Sequence, residues 1–116
     1  MRPIPPNLVI RTIAREELQE KLARGDRFKL VMSLGEWEFK MKHIPTSIRF
    51  ASDEEMLAAL RTDEEIVVYC TNPACHASAE AYALLVEHGY TNVRRYAGGV
   101  SEWEEAGLHL DGQWGR

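Results

Sequence analysis

Apolar residues along this chain follow two rhythms, short continuous runs and one-sided helical stripes, and the two alternate. Leu8 to Ile13 can run as a short extended segment behind a proline-rich lead. From Glu16 to Arg24, Leu18 and Leu22 stand one helical turn apart, Glu17 precedes Lys21 by four as a surface ion pair, and Gly25 provides the stop. Leu30-Val31-Met32 reads as a buried strand. Trp37 and Met41 share one face of a short helix, with Glu36 and Lys40 paired beside them, until Pro45 forbids continuation. Ile48 to Phe50 fits another short strand. Asp53 suits the N-cap of a helix reaching Arg61, with Met56, Leu57 and Leu60 facing inward.

The strongest strand signal is Ile66-Val67-Val68-Tyr69, β-branched and continuously apolar after the acidic turn Asp63-Glu64-Glu65. Unbroken apolarity implies a strand covered on both faces. An Ala- and Leu-rich helix from Ala77 to His88 follows and stops at Gly89; Val93 to Ala97 is a further strand, Gly98-Gly99 a tight turn, and Val100 to Ala106 a short helix ended by Gly107. Strand and helix therefore alternate. That order predicts an α/β fold with a parallel sheet, helices on both faces, and a binding crevice at the C-terminal ends of the strands.

At 116 residues and 13.2 kDa the chain has the size of one domain, and no repeat, low-complexity tract or linker divides it. The expected boundaries are a core over about 10–110, a lead over 1–9 and a tail over 109–116. Hydrophobic residues make up 45% and charged residues 28%, which suits a packed core rather than disorder. No apolar run approaches the ~20 residues that span a bilayer, and no apolar segment follows the first residues as in an export signal. A cytoplasmic location without membrane contact is the expectation. Net charge is −4, but residues 1–50 carry ten Lys/Arg against six Asp/Glu and residues 51–116 four against twelve. An acidic chain without a basic run disfavours nucleic acid as a partner. With two cysteines, Cys70 and Cys75, a disulfide framework is excluded and thiol chemistry or a metal becomes the question.

Cys70 closes the best strand, and the loop Thr71-Asn72-Pro73-Ala74-Cys75-His76 leads into the helix beginning Ala77-Ser78. Backbone amides in such a loop, together with a helix N-terminus, favour a thiolate and make Cys70 a candidate nucleophile. Asn72-Pro73 can turn the loop back, so Cys75 is a candidate second thiol that resolves an intermediate on Cys70 or closes a reversible disulfide; packing under the loop is the alternative. His76 reads as a loop cap and Ser78 as an N-cap or first-turn residue. His43 fixes a turn, and His88 and His109 belong to the surface or to helix ends. A Cys-x5-Arg phosphatase needs arginine at position 76, where this chain has His76. Adjacent Cys75-His76 is awkward for metal chelation, so neither metal nor cofactor is expected. Trp37, Tyr82, Tyr90 and Trp103 are assigned to core packing, and Trp114 either caps the fold or meets a partner.

Val67-Val68-Tyr69-Cys70, the loop, the helix ending His88-Gly89-Tyr90, the strand with Gly98-Gly99, Trp103 and Ala106-Gly107-Leu108 together resemble the second half of a rhodanese domain. Glu16-Glu17-Leu18, Trp37-Glu38-Phe39 and His43-Ile44-Pro45 resemble the first half. The resemblance implies a five-stranded parallel sheet flanked by helices. It also implies a sulfurtransferase in which Cys70 holds a sulfane sulfur as a persulfide, with Thr71 to Ser78 as the substrate-binding loop. The partners implied are a small sulfur donor (persulfide, thiosulfate or mercaptopyruvate) and a thiol-type acceptor, served by a monomer or weak dimer.

Three departures qualify this. The acidic residue and arginine that many members carry before the Trp-Glu-Phe segment are missing from Val31-Met32-Ser33-Leu34. The loop contains no Lys or Arg from Thr71 to Ser78, which disfavours efficient use of the thiosulfate dianion; Arg49 is the first candidate should a cation from elsewhere line the site. The loop also carries its second thiol in the spacing Cys70-x4-Cys75-x2-Ser78. A non-catalytic regulatory module and a Cys70–Cys75 redox switch therefore stand as alternatives to the enzyme.

Overall fold

Eight regular elements follow in the predicted alternation: α1 (Arg15–Arg24), β1 (Lys29–Met32), α2 (Glu36–Met41), α3 (Asp53–Ala59), β2 (Ile66–Tyr69), α4 (Ala77–Glu87), β3 (Val93–Tyr96) and α5 (Gly99–Glu105). The structure is a computed structural model that describes residues 4–116; the first three residues of the proline-rich lead lie outside the described residues. No helix among the described residues is long and apolar enough to cross a membrane.

The sheet has the order β1-β2-β3, all parallel, with Leu30 opposite Val67 and Val67 opposite Arg94. It thus has three strands among the described residues, where five were expected. The two missing edge positions are occupied by single parallel bridges, Ile48 beside Val31 and Thr12 beside Arg95. Each segment leaves the edge for a local reason. On one side Ser47 already gives its amide to Ile44 in a turn, and Arg49 Nε donates to the Leu34 carbonyl at 2.8 Å. On the other, the chain passes from Ile13 into α1 within two residues. Edges this short offer little template for pairing with another chain.

Side chains alternate between the two faces. Leu30, Met32, Val67, Tyr69 and Tyr96 meet Leu18 of α1 and Val100 and Trp103 of α5, while Val31, Ile66, Val68 and Val93 meet Met56 of α3 and Tyr82 and Leu85 of α4. All four residues of β2 are fully buried, which accounts for its unbroken apolarity. Each such side chain contributes about 1.5–3 kcal/mol through burial.

Three local expectations are corrected. The N-cap of α3 is Ser52, not Asp53, its hydroxyl accepting the Glu55 amide at 3.1 Å. Lys21 does not form a surface pair with Glu17. It is buried, with Nζ 2.6 Å from Glu65 and 3.3 Å from Asp26, and Glu17 pairs instead with Arg94 at 2.8 Å. A buried ammonium needs close carboxylates, and Glu65, just ahead of β2, offers one that a helix neighbour on the solvent side does not. Trp37 is 59% exposed rather than part of the core. It meets Trp114 edge-to-face, with ring centroids 5.4 Å apart. The tail lies along α2 through Gln113 N–H to the Lys40 carbonyl, Trp114 N–H to the Met41 carbonyl and an antiparallel bridge between His43 and Asp111. His43 does fix its turn, stacking on Phe39 with its Nδ1 2.7 Å from the Phe39 carbonyl oxygen.

Tyr69 ends β2 with a hydroxyl buried in the core, where burial pushes its phenol up to about 12. That oxygen accepts the Ile44 amide at 3.0 Å and meets the Ser47 hydroxyl at 2.8 Å. Replacing Tyr69 by Phe leaves the Ile44 N–H buried without a partner. Urea unfolding of Tyr69→Phe is expected to show a loss of about 1–3 kcal/mol with an unchanged slope.

Candidate functional site

Cys70 follows β2 directly and is 1% exposed. Its carbonyl accepts the Val100 amide at 3.0 Å, and the Thr71 carbonyl accepts the Ser101 amide at 2.8 Å, so the start of α5 grips the start of the loop. Gly99 sits in this grip with φ +63°, its Cα turned so closely to the Cys70 and Thr71 carbonyls that no side chain fits.

Beyond Thr71 the loop folds back as the Asn72-Pro73 pair predicts. The Asn72 side-chain oxygen accepts the Ala74 amide at 3.0 Å, and the Asn72 carbonyl accepts the Cys75 amide at 3.1 Å. This turn returns Cys75 over Cys70, and the two are joined as a disulfide with Cα atoms 6.5 Å apart. Thr71, Asn72 and Cys75 are half-buried, while Pro73, Ala74 and His76 are exposed. Cys70 is therefore the buried residue of the pair and Cys75 the more exposed one.

Ser78 is a first-turn residue of α4, one of the two places expected for it, and its side chain lies inside the site rather than capping the helix. It is 1% exposed, its hydroxyl stands 3.3 Å from Cys70 Sγ, and it accepts Arg95 Nε at 2.7 Å. The disulfide-bonded sulfur has no proton to give, so in this contact the serine hydroxyl is the donor. His76 occupies the position ahead of α4 with helical backbone and no side-chain cap bond, so its predicted capping role is not seen. Ala77 opens the helix beside it.

Arg95 is the residue that sequence reasoning missed. Its Nη2 donates to the Cys75 carbonyl at 2.9 Å and more loosely to the Pro73 carbonyl at 3.4 Å. Removal from water disfavours the charge on its guanidinium and lowers its pKa, yet arginine stays cationic at any physiological pH. The cation from outside the loop is thus Arg95, not Arg49. Arg49 lines a separate cavity of about 650 Å³ with Ser33, Asp53, Ala77 and Glu80, and Cys70 is not in its wall. A signal existed in the strand parity: Arg95 is in register with Val68, so it shares the sheet face of Val68 and Cys70, under α4. A charge on a covered face must find acceptors, and the loop carbonyls are the nearest.

This arrangement places a fixed positive charge behind a serine hydroxyl that points at sulfur, which favours a thiolate over a thiol. Removing the charge in Arg95→Met is expected to slow alkylation of reduced Cys70 at neutral pH by roughly threefold to tenfold and to move its alkylation profile to higher pH. A profile left in place would show that Arg95 only supports the loop.

Residues 14–106 match the rhodanese-like domain family. An HTH-type transcriptional regulator of Mycobacterium tuberculosis is 33% identical over 101 residues, which is 85% of this chain and 44% of the relative, so the chain spans less than half of that protein. Among solved structures, a Bacillus halodurans protein superposes with a TM-score of 0.83 at 24% identity, over 90% of this chain and 79% of its own. The human single-domain sulfurtransferase gives 0.69 at 24% identity, over 84% of this chain and 97% of its own. At those identities the superpositions establish a common fold.

Proposed function

The chain belongs to the rhodanese-like domain family, and from that premise we propose that it is a sulfurtransferase carrying sulfane sulfur on Cys70. The observation that supports this reading most is the setting of Cys70 Sγ at the end of the buried strand, with Ser78 and then Arg95 behind it. In the open, reduced form the Cys70 thiolate attacks the outer sulfur of a donor R–S–SH. The bond between the donor's two sulfurs breaks, R–S⁻ leaves, and Cys70 becomes a persulfide. An acceptor thiolate then attacks the outer sulfur, takes it away and returns Cys70 as a thiolate. Both steps pass negative charge through the same sulfur, which the Ser78 proton and the Arg95 charge stabilise without rearrangement.

The donor class follows from the charges. Arg95 spends its donors on Ser78 and two loop carbonyls, so a small persulfide is a better fit than the thiosulfate dianion, with mercaptopyruvate between them. A reducing compartment such as the cytoplasm keeps the pair open. In the disulfide form Cys70 is both bonded and buried, so loading requires reduction first. The test is intact mass after incubation with glutathione persulfide. Reduced Cys75→Ser, which keeps Cys70 as its one thiol, is expected to gain one sulfur, mapped to Cys70, and oxidised wild type none; no gain in the reduced variant with any donor overturns the reading.

The relative that is a transcriptional regulator favours one other reading, a rhodanese-fold module that reports the state of the thiol pair to a partner without turning over. Loading that stops after one sulfur, with no transfer to any thiol acceptor, is the result that selects it.

A further inference from the structure

We propose that this protein also releases sulfide: Cys75 attacks the Cys70 persulfide at its inner sulfur, expels hydrosulfide and closes the disulfide, which a dithiol then reopens by entering at Cys75. The proposal rests on the Cys70 persulfide of the preceding reading. Its own observation is the placement of the two cysteines. The Asn72 turn and the two Arg95 contacts to the loop carbonyls hold Cys75 so that its sulfur bonds directly to Cys70 Sγ, the atom that becomes the inner sulfur of the persulfide. A thiol held on that atom closes a disulfide. One positioned for relay would instead stand a bond length further out, over the transferred sulfur.

The first step breaks the bond between the two sulfurs of the persulfide and makes the Cys70–Cys75 bond. The Cys75 thiolate supplies the electron pair, and the outer sulfur leaves as HS⁻ with the persulfide proton. The pair is oxidised by two electrons and the sulfane sulfur is reduced by two. Resetting the pair takes those electrons from a dithiol. Over a cycle, R–S–SH and a dithiol become R–SH, H₂S and a cyclic disulfide.

Burial fixes the direction of the reset. Cys70 is 1% exposed and Cys75 is the more exposed residue of the pair, so an incoming thiolate is expected to enter from the Cys75 side. Cys70 is then the leaving group, and a leaving thiolate departs faster when it is stabilised. The Ser78 hydroxyl at 3.3 Å and Arg95 behind it are placed to do this for Cys70, whereas the solvent side of Cys75 offers no such pair. The thiol that opens the disulfide therefore becomes attached to Cys75 and leaves Cys70 ready for the next donor.

The test starts from reduced protein loaded with glutathione persulfide and freed of small molecules under anaerobic conditions. Wild type is expected to release about one sulfide per chain and to end as the Cys70–Cys75 disulfide. Loaded Cys75→Ser is expected to lose its sulfur at least about tenfold more slowly. Equal release from both, or wild type that moves the sulfur onto Cys75 as a persulfide, overturns the proposal while leaving Cys70 as the carrier. Failure of Cys75→Ser to load, with no sulfide released by wild type, removes the sulfurtransferase reading and this one with it. A second measurement needs no variant: oxidised wild type is treated with limiting glutathione, and the freed cysteine is alkylated at once. Glutathione on Cys75 and alkyl on Cys70 support the direction of reset, and the reverse labelling refutes it.

Discussion

Cys70→Ala, reduced and mixed with glutathione persulfide, is expected to take up no sulfur, with transfer to an acceptor thiol lowered by on the order of 10³-fold or more, to the uncatalysed rate. No other side chain is placed to replace it. Cys75 is near, but its carbonyl, not its sulfur, is the atom that Arg95 holds. Ser78→Ala provides the graded comparison. It removes one charge-assisted hydrogen bond to the thiolate, a loss of about 1.5–3 kcal/mol, and should slow loading by roughly tenfold to a hundredfold with the modified residue unchanged. Intact mass and peptide mapping read both variants. Undiminished loading of Cys70→Ala would transfer the carrier role to Cys75.

The second large effect is at Gly99. A methyl group there meets the Cys70 and Thr71 carbonyls, which are backbone and cannot swing away, and φ +63° adds about 1–2 kcal/mol for a residue with a side chain. The grip of α5 on the loop must open, and with it the bonds from Val100 to Cys70 and from Ser101 to Thr71. Gly99→Ala is expected to lose about 3 kcal/mol or more and on the order of 10 °C in melting temperature, and to load sulfur poorly at temperatures where it remains folded. Gly25 is the control. It has φ +72° but nothing within 4 Å of an added methyl, so Gly25→Ala should show the conformational cost alone, about 1–2 kcal/mol, with loading intact. Equal losses at the two positions would mean that the clash at Gly99 is relieved at no cost.

The central strand, the helix after the loop and the cysteine at their junction were legible because each depends on local pattern: β-branched residues run from Ile66, a turn pair sits at Asn72-Pro73, and alanines and leucines fill α4. The edge strands were overread. Ile48 to Phe50 and Leu8 to Ile13 have strand-like residues, but their extent is decided by the turn at Ser47 and the start of α1, which compete for the same backbone groups. Lys21 and Arg95 were misjudged or missed for a shared reason. Their partners, Glu65 and the Pro73-to-Ser78 segment, lie far along the chain and are chosen by sheet register, which spacing within one helix or one loop does not reveal. Trp37 followed the same logic: helical spacing assigned it inward, whereas it stays at the surface and meets Trp114 of the tail edge-to-face.

That tail contact governs what an optical melt of this protein would report. Of its three tryptophans, Trp103 is 4% exposed, while Trp37 and Trp114 touch each other at 59% and 58% exposure. Two of the three emitters therefore already sit in water when the chain is folded, and their signal changes when the last residues lift off α2. Emission should shift with tail release, while circular dichroism follows the buried sheet, so the two curves separate wherever the tail leaves before the core opens. A melting temperature taken from fluorescence alone would mix the peeling of a strap at Trp37 and Trp114 with the opening of the core at Trp103.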